Sequence, residues 1–546
     1  MLHSILSPSP FAAPARHFEK TGEPLEVTGA QIQAAVSLGP AEPADQLPPE
    51  GFVLEVAPAP GAPADLKIEI RGDARGQRYG LQTFSRLISA RNIETFAVQP
   101  ATIRDWPELP LRGTIEGFYG TPWSEADRRD HLEFAARHRL NTYVYAPKDD
   151  EYHRAKWREL YPPAELESLK NLVQLAKKLD IDFIYALAPG LSMRYSDDAE
   201  HELLAAKAAQ LQEIGVTRFA LLFDDIPTEL EHESDIAKYG SQPGSAGAAH
   251  GEACTRFNQA ITTHAPARLI MVPTDYAGVD PSPYREQLAK AMPADAIVWW
   301  TGSDIVVGAI SREDIDRAAA SYHRDLLLWD NFPVNDFDFE RLFLGPLIGR
   351  TDNVNGSALL GITANPMVAA TASQLALATV AEWAWNPQLY DPDAAAKRAL
   401  SAVAGPAASA LEALVAASSS WPPSAPQSAR LQSLADKALA ADRAAQVELR
   451  TSLEALLVLP QLAHAQDDAA AERLITEFEP WAKAGAQIAQ VGIAALGLLE
   501  AGAASAEQID RLAEQAAAAE KSDANILRGV IVPFVTAVLE RVRPAN

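Results

Sequence analysis

The sequence predicts a multidomain α/β protein with a central TIM (β/α)8 barrel, a small N-terminal α/β domain and a C-terminal α-helical bundle. Three observations predict it. The 546 residues exceed the roughly 100–200 residues of one domain. Eight short apolar runs alternate with segments of helical period over 112–387, and strand signals vanish beyond Asp391. An open doubly wound sheet is the alternative for the middle region, but Gly113 and Gly117 lack the spacing of its phosphate-binding turn.

Residues 1–105 are predicted to form the small N-terminal α/β domain. Two segments, 51–56 and 66–71, alternate apolar and polar residues as half-buried strands do. The segment 79–89 places its large apolar residues on one side at helical spacing. We therefore expect a sheet with one helix packed across it.

Residues 106–390 are predicted to form the barrel. A TIM barrel needs eight strands that alternate with helices over about 250 residues, and this region supplies the alternation. The predicted strands are 113–118, 142–146, 183–188, 219–223, 269–273, 297–300, 326–329 and 358–362, and the predicted helices are 124–138, 163–179, 200–214 and 252–264.

Residues 391–546 are predicted to form the helical bundle. Alanine is abundant and leucine recurs at helical intervals, which is typical of helices that pack closely against one another. The alanine runs reflect helix propensity rather than a functional low-complexity tract.

Net charge and cysteine content limit the classes of binding partner and the cellular compartment that we expect. Lys and Arg number 47 and Asp and Glu 72, so the net charge is 47 − 72 = −25, which repels phosphate backbones and anionic lipids. Cys254 is the single cysteine, so neither an internal disulfide nor a cysteine-based metal site can form. Residues 1–16 lack the basic start and apolar run of a signal peptide. We expect a cytoplasmic protein with no nucleic-acid or membrane partner.

No segment reaches the roughly 18 uncharged apolar residues that a membrane-spanning helix needs. The nearest approach is 485–504, which Gln487, Gln490 and Glu500 interrupt.

Chemistry-bearing residues follow the predicted barrel strands. Because function in a TIM barrel lies at the carboxyl ends of the strands, these side chains are expected to converge on one face. Carboxylates, amides, one lysine and aromatic rings suit a neutral, polyhydroxylated ligand such as a sugar. They lie at 116–123, 145–150, Asp224 and Asp225, 274–276, 329–331, Asn335 and Asp336, and Asn365 and Pro366.

Asp224 and Asp225 are the central candidates. An isolated Asp-Asp pair often ends a strand and caps a helix. Two carboxylates directly after a continuous apolar run are costly to desolvate, which favours a functional role for this pair. One use is as an acid and base pair for glycoside cleavage. The other is a divalent-cation site with Asp275 or Asp336, for which histidine ligands and a spaced carboxylate motif are missing. His131, His138, His153 and His323 lack ligand spacing and are interpreted as surface or structural residues.

Five strings in this region resemble glycoside hydrolase family 84, the β-N-acetylglucosaminidases that include the O-GlcNAcases. They are 112–123 (RGTIEGFYGTPW), 141–150 (NTYVYAPKDD), 223–225 (FDD), 329–331 (WDN) with 335–336 (ND), and 363–366 (TANP). The segment 80–84 (GLQTF) is similar to the small domain that precedes the barrel in this family. The C-terminal helices resemble the family only weakly.

The resemblance implies a retaining, substrate-assisted reaction in which the 2-acetamido oxygen of the sugar attacks the anomeric carbon and forms an oxazoline. Asp224 would hold and polarise the acetamido N–H, and Asp225 would act as general acid and then general base. By the same resemblance, Tyr276 would donate a hydrogen bond to the acetamido oxygen, Asn331 would hold the acetamido group, and Trp329 would line the pocket for its methyl group.

The remaining residues would contact the rest of the sugar. Tyr119 would shape the floor of the pocket. The sugar hydroxyls would be bound by Lys148, Asp336, Asn365 and the backbone of Gly117.

Two positions depart from the family pattern: Asp275 stands where Glu is expected, and Phe337 where Tyr is expected. The expected partners are glycoproteins or glycans that carry β-GlcNAc, with no cofactor and no metal. Two other hypotheses remain open, a catalytically silent GlcNAc-binding protein and a metal-dependent hydrolase. The sequence leaves open the natural aglycone, the role of the C-terminal helices and the oligomeric state, a homodimer included.

Overall fold

A computed structural model describes residues 9–262, 268–461 and 469–543. The N-terminal part contains two sheets, one with the strand order β1-β8-β4-β5-β3 and one with the order β2-β7-β6. The elements are β1 His17–Lys20, β2 Leu25–Thr28, α1 Gly29–Ala35, β3 Val36–Gly39, β4 Phe52–Ala59, β5 Ala62–Gly72, α2 Ala74–Ser85, β6 Ile88–Ala90, β7 Thr95–Val98 and β8 Ala101–Asp105.

The helix predicted over 79–89 is shifted in the structure. It begins five residues earlier, because the side chain of Asp73 accepts a hydrogen bond from the Gly76 N–H (2.7 Å) and caps the first turn. It ends at Ser85, since Ile88–Ala90 pairs with β7 as an antiparallel strand. The two predicted strands correspond to β4 and β5, except that β4 begins at Phe52, one residue later than predicted.

The middle region is a closed barrel of eight parallel strands. Its strands are β9 Leu111–Glu116, β10 Thr142–Tyr145, β11 Asp182–Leu187, β12 Arg218–Leu222, β13 Ile270–Val272, β14 Ile297–Trp300, β15 Leu326–Asp330 and β16 Leu359–Ala364. The barrel closes where β16 pairs with β9, at Gly361 opposite Leu111. A Cβ atom on Gly361 would lie 1.9 Å from the Leu111 carbonyl oxygen, so closure requires glycine there. The predicted TIM barrel is confirmed, and the open sheet is wrong.

The barrel helices largely follow the predicted segments. They are α3 Glu125–Arg137, α4 Pro163–Lys178, α5 Asp198–Glu213, α6 Glu233–Tyr239, α7 Ser245–Thr262, α8 Pro283–Ala291, α9 Arg312–Tyr322 and α10 Ala370–Trp385. Ser124 caps α3 with a reciprocal hydrogen-bonded box to Asp127, which explains why that helix begins where the sequence predicts. The helix predicted over 252–264 begins seven residues earlier, and residues 263–264 lie outside the described residues.

The last barrel helix, α10, joins the three parts of the molecule. All sixteen of its residues are buried, and it packs against β9, β16 and α3 on the barrel side. The Trp385 indole donates to the Asp105 carboxylate (2.8 Å) at the end of the N-terminal sheet. At the same end of the barrel, Glu50 accepts a hydrogen bond from the buried Arg112 (2.6 Å). These contacts fix the N-terminal sheets at the amino end of β9, opposite the strand ends that carry the candidate residues.

In the described residues of the C-terminal region the regular elements are all helices, as predicted. The helices are α11 Pro392–Ala404, α12 Ala408–Ala417, α13 Ala429–Leu439, α14 Arg443–Leu457, α15 Ala469–Ala501, α16 Ala506–Glu520 and α17 Arg528–Val542. The long helix α15 packs against α10, α14 and α17.

Two helical stretches, Pro392–Ala417 and Ala471–Ala501, are long and apolar enough to cross a membrane by length and composition alone. The segment 485–504, the nearest approach to a span in the sequence, overlaps the second stretch, and the requirement for an uninterrupted apolar run excludes both stretches. Core helices of a bundle pass the same test, so this finding is weak evidence for a membrane span.

Candidate active site

A cavity of about 300 Å³ opens at the carboxyl ends of the barrel strands. All ten candidate residues from the sequence line it: Gly117, Tyr119, Lys148, Asp224, Asp225, Tyr276, Trp329, Asn331, Asp336 and Asn365. They come from the carboxyl ends of six different strands and the loops that follow them, which only barrel closure brings together. The structure thus unites the predicted set, while the role of each residue remains a prediction.

Asp224 lies two residues beyond β12 and is 8% exposed. Its Oδ2 atom pairs with the Lys148 ammonium group, which is also buried. Its Oδ1 atom is buried and has no hydrogen-bond partner in the protein. A buried acceptor without a donor costs free energy, so this oxygen is suited to an N–H or O–H group of a ligand.

Asp225 is exposed and accepts two tyrosine hydrogen bonds. Tyr119 Oη donates to its Oδ2 (2.7 Å) and Tyr276 Oη to its Oδ1 (3.0 Å). Burial and the hydrogen bond to this carboxylate raise the pKa of Tyr119 to about 12 and also raise the pKa of Tyr276. Both phenols therefore stay protonated at neutral pH and remain donors.

A ring of amide and indole groups forms another wall. Asn331 Oδ1 accepts from the Trp329 indole (3.1 Å) and from Asn365 Nδ2 (3.0 Å), while Asn331 Nδ2 donates to the Ile305 carbonyl (2.8 Å). Asn365 Oδ1 is buried without a protein partner. Gly117 lies against Trp329, where a Cβ atom would approach the ring to 2.6 Å. The indole face and the free amide oxygen are matched to the apolar and hydroxylated sides of a sugar.

Asp336 completes the pocket on the loop between β15 and β16. Its Oδ2 accepts the backbone N–H of Tyr119 (2.9 Å). Burial raises the pKa of Asp336 and the negative charge of Asp225 adds to the rise, whereas the Tyr119 N–H and Lys148 act in the opposite direction.

The structure does not bring Asp275 to the cavity. Its carboxylate accepts from Ser282 Oγ (2.5 Å) and from Arg285 Nη2 (3.0 Å), and thereby pins helix α8 to the strand end. Within 9–262, 268–461 and 469–543, no group of three or more His, Cys, Asp or Glu side chains is arranged to hold a metal ion. The cation site that combined Asp224 and Asp225 with Asp275 or Asp336 therefore has no geometric support in these residues.

The histidines divide into buried and surface residues. His323 is exposed, as a surface residue is, whereas His131, His138 and His153 are buried and fit the structural interpretation. Burial lowers the pKa of His131 and His138 to about 3 and the pKa of His153 to about 4. Their rings are neutral core groups.

Asn335, which the sequence places beside Asp336 after the seventh strand, is buried with an unpaired Oδ1 atom and does not line the cavity. Several residues that do line the cavity are missing from the sequence-based set. Thr301 directly follows β14, so the strand-end rule could have identified it, whereas Ile305 and Val306 lie farther along the same loop without any local signal. Phe337, identified above as a departure from the family pattern, also lines the pocket.

Comparison with known proteins agrees with this geometry. The family model described as beta-N-acetylglucosaminidase matches residues 112–417. Two curated relatives named Protein O-GlcNAcase, from Rattus norvegicus and Mus musculus, are each 35% identical over 279 residues. That alignment covers 50% of this chain but only 30% of the length of each relative.

Solved structures resemble the chain over a larger share of its length. An O-GlcNAc hydrolase mutant from Thermobaculum terrenum is 29% identical, with a TM-score of 0.70 over 79% of this chain and 94% of that one. A structure named CpGH84B has a TM-score of 0.82 over 98% of this chain and all of that one, and at 24% identity it supports the fold alone. The family model spans more than half of the sequence, and the chain therefore belongs to the β-N-acetylglucosaminidase family, glycoside hydrolase family 84.

Proposed function

We propose that the protein is a retaining exo-β-N-acetylglucosaminidase that removes terminal β-linked GlcNAc, including GlcNAc on Ser and Thr of glycoproteins. The observation that carries the proposal is the unpaired, buried Oδ1 of Asp224, next to a second carboxylate on Asp225 in one sugar-sized cavity. The curated relatives named Protein O-GlcNAcase support the choice of substrate class.

In the proposed first step the substrate supplies its own nucleophile. Asp224 Oδ1 accepts the acetamido N–H and so turns the acetamido oxygen toward the anomeric carbon, while Lys148 holds Asp224 from its other side. The acetamido oxygen forms a bond to that carbon and the bond to the aglycone oxygen breaks. Asp225 donates its proton to the departing oxygen. The products are an N-protonated oxazoline whose N–H stays hydrogen-bonded to Asp224, a free aglycone and an Asp225 carboxylate.

In the second step Asp225 acts as a base instead of an acid. Water enters on the side that the aglycone left, and the Asp225 carboxylate takes a proton from it. The hydroxide oxygen bonds to the anomeric carbon and the oxazoline opens, which restores the acetamide. Two displacements at one carbon retain the β configuration. Tyr119 and Tyr276 stabilise the anionic form of Asp225 between the steps, because each donates a hydrogen bond to it.

The test pairs an aryl β-N-acetylglucosaminide with the analogue whose acetamide carries fluorine. We expect the rate to fall steeply with fluorination, since the acetamido oxygen becomes a weaker nucleophile. Asp224→Asn should lose about 10²-fold or more in kcat/KM with every leaving group. Asp225→Asn should lose most on poor leaving groups, because these need the proton, and least on activated aryl groups. Asp149→Asn, an exposed neighbour outside the cavity, is the matched control.

Other outcomes separate the alternatives. Turnover that is indifferent to fluorination would keep the glycosidase and discard the oxazoline. Calorimetric GlcNAc binding without turnover would favour the silent binding protein, and loss of activity in EDTA with recovery on adding a divalent cation would favour the metal-dependent hydrolase. A cytoplasmic location is proposed on the strength of the lone cysteine, and cell fractionation tests it.

A further inference from the structure

The C-terminal helices contact the loop that carries Asp336. The backbone carbonyl of Glu340, in that loop, accepts the Trp481 indole N–H and the Asn525 backbone N–H, each at 2.7 Å. The Glu340 carboxylate accepts from Arg528 Nη1 (2.9 Å). Because Trp481 belongs to α15 and Arg528 begins α17, two helices hold one point of the loop.

The first part of the connection between α12 and α13, residues 418–423 (the 418–423 link), holds the next residue of the loop. Arg341 donates to the Pro423 carbonyl (2.8 Å) and to Ser420 Oγ (3.2 Å). In the same link, Trp421 packs edge to face on two phenylalanine rings of the Asp336 loop, and its indole N–H donates to a backbone carbonyl in the loop after β14 (3.0 Å). This link therefore contacts both loops that wall the cavity on that side.

A short chain of hydrogen bonds connects Arg341 to the pocket. Asn335 Nδ2 donates to the Arg341 carbonyl (2.8 Å), and the Asn335 carbonyl accepts the Asp338 N–H (2.9 Å). Asp336 follows Asn335 directly and is fixed from its other side by the Tyr119 N–H (2.9 Å). A displacement of Arg341 is thus passed to Asp336 through the side chain and the backbone carbonyl of the buried Asn335.

We propose that the C-terminal region positions Asp336 over the sugar through Arg341 and Glu340. The 418–423 link and helices α15 and α17 therefore contribute to sugar binding. Arg341 and Glu340 are positioning residues, since neither lines the cavity. The proposal rests on the proposed function, because Asp336 matters only if it binds the hydroxyls of the substrate.

A double-mutant cycle on the full chain tests this proposal. We would measure kcat and KM on the aryl glycoside for Arg341→Met, for Asp336→Asn and for the double variant. The control is Arg450→Met, which breaks the ion pair of Arg450 with Glu500 (3.0 Å) between two helices of the same region, away from the loop. Thermal unfolding of each variant measures any general loss of stability.

Arg341→Met should lower kcat/KM about 10-fold, since misplacement by a few tenths of an ångström already weakens a binding carboxylate. In the Asp336→Asn background the same change should cost no more than about 2-fold, because the two residues act as one unit. Arg450→Met should keep wild-type kinetics whatever its Tm.

Losses that multiply in the double variant, or an Arg341→Met enzyme with lower Tm and normal kcat/KM, would overturn the proposal. If Arg341→Met does not fold, Arg528→Met removes the contact from the helix side and must show the same non-additivity with Asp336→Asn. A wild-type chain without any turnover refutes the proposed function and this inference together, whereas an active wild type with normal Arg341→Met and Arg528→Met variants refutes the inference alone.

Discussion

Replacing Gly117 by alanine tests whether the geometry of the Trp329 wall sets the rate. The new Cβ atom would lie 2.6 Å from Trp329 Cζ2 and 3.1 Å from Cη2. Carbon atoms pack at about 3.5–4.0 Å, so the ring must retreat by about 1 Å. The ring has little free space, since it is 5% exposed and packs edge to face on Trp299 at 5.7 Å. Its indole is also bonded to Asn331, so that amide moves with it.

A misplacement of about 1 Å in a catalytic site costs on the order of 10²-fold, and this is the loss of kcat/KM that we expect for Gly117→Ala. Overpacking should also lower the free energy of unfolding by about 1–3 kcal/mol. The assay is steady-state hydrolysis of the aryl β-N-acetylglucosaminide, with denaturant unfolding in parallel. Gly497→Ala is the control, because a Cβ atom there meets no atom within 4 Å and lies in a helix, where alanine stabilises by about 0.5–1 kcal/mol. A folded Gly117→Ala enzyme with wild-type kcat/KM would refute the reasoning.

Three further predictions concern ionisable side chains. Lys148→Met should destabilise the fold by about 3–5 kcal/mol and abolish turnover, because Asp224 is left buried without its cation; Lys156→Met, which removes an exposed pair, should do neither. Burial lowers the pKa of His138 to about 3, so protonation favours the unfolded chain and the free energy of unfolding decreases as the pH is lowered from 6.5. Urea titrations at pH 7.5 and pH 5 measure this decrease, which should be about 2 kcal/mol smaller in His138→Gln than in the wild type. Asp275→Asn should lower Tm but leave kcat/KM within about 3-fold of the wild-type value, since this carboxylate pairs with a buried arginine outside the cavity. A large loss of kcat/KM with an unchanged Tm would show that Asp275 does act in the sugar site.

The elements that the sequence predicts well are those with a strong local signal. Barrel strands are buried on both faces and therefore appear as short continuous apolar runs, which is why all eight lie where they are expected. The elements that it predicts poorly depend on tertiary contacts. Strand β6 has three residues, none of them buried, and pairs only because β7 lies beside it. Helix α7 begins in an Ala- and Gly-rich stretch that has no apolar periodicity of its own.

The same distinction applies to the candidate site. The strand-end rule identifies Asp224 and Asn365, because barrel topology alone brings such residues to one face. It does not determine the direction of a side chain that follows the strand. Asp275 turns away because Arg285, ten residues later, offers it a buried cation. Likewise the sequence places Asn335 beside Asp336, but no spacing in it predicts that the Asn335 amide donates to the Arg341 carbonyl.

The backbone at Asp225 explains how two successive carboxylates can serve one cavity. Successive side chains of an extended strand point to opposite faces, so a continued β12 would send one of the pair away. Asp225 instead has a φ of +53°, in the left-handed region, and its carboxylate lies between Tyr119 and Tyr276 while Asp224 stays on Lys148. Aspartate and asparagine adopt this conformation more readily than other residues with a side chain. Asp225→Asn therefore removes the proton donor and leaves the turn intact, so a kinetic loss in that variant reports on proton transfer rather than on a rearranged backbone.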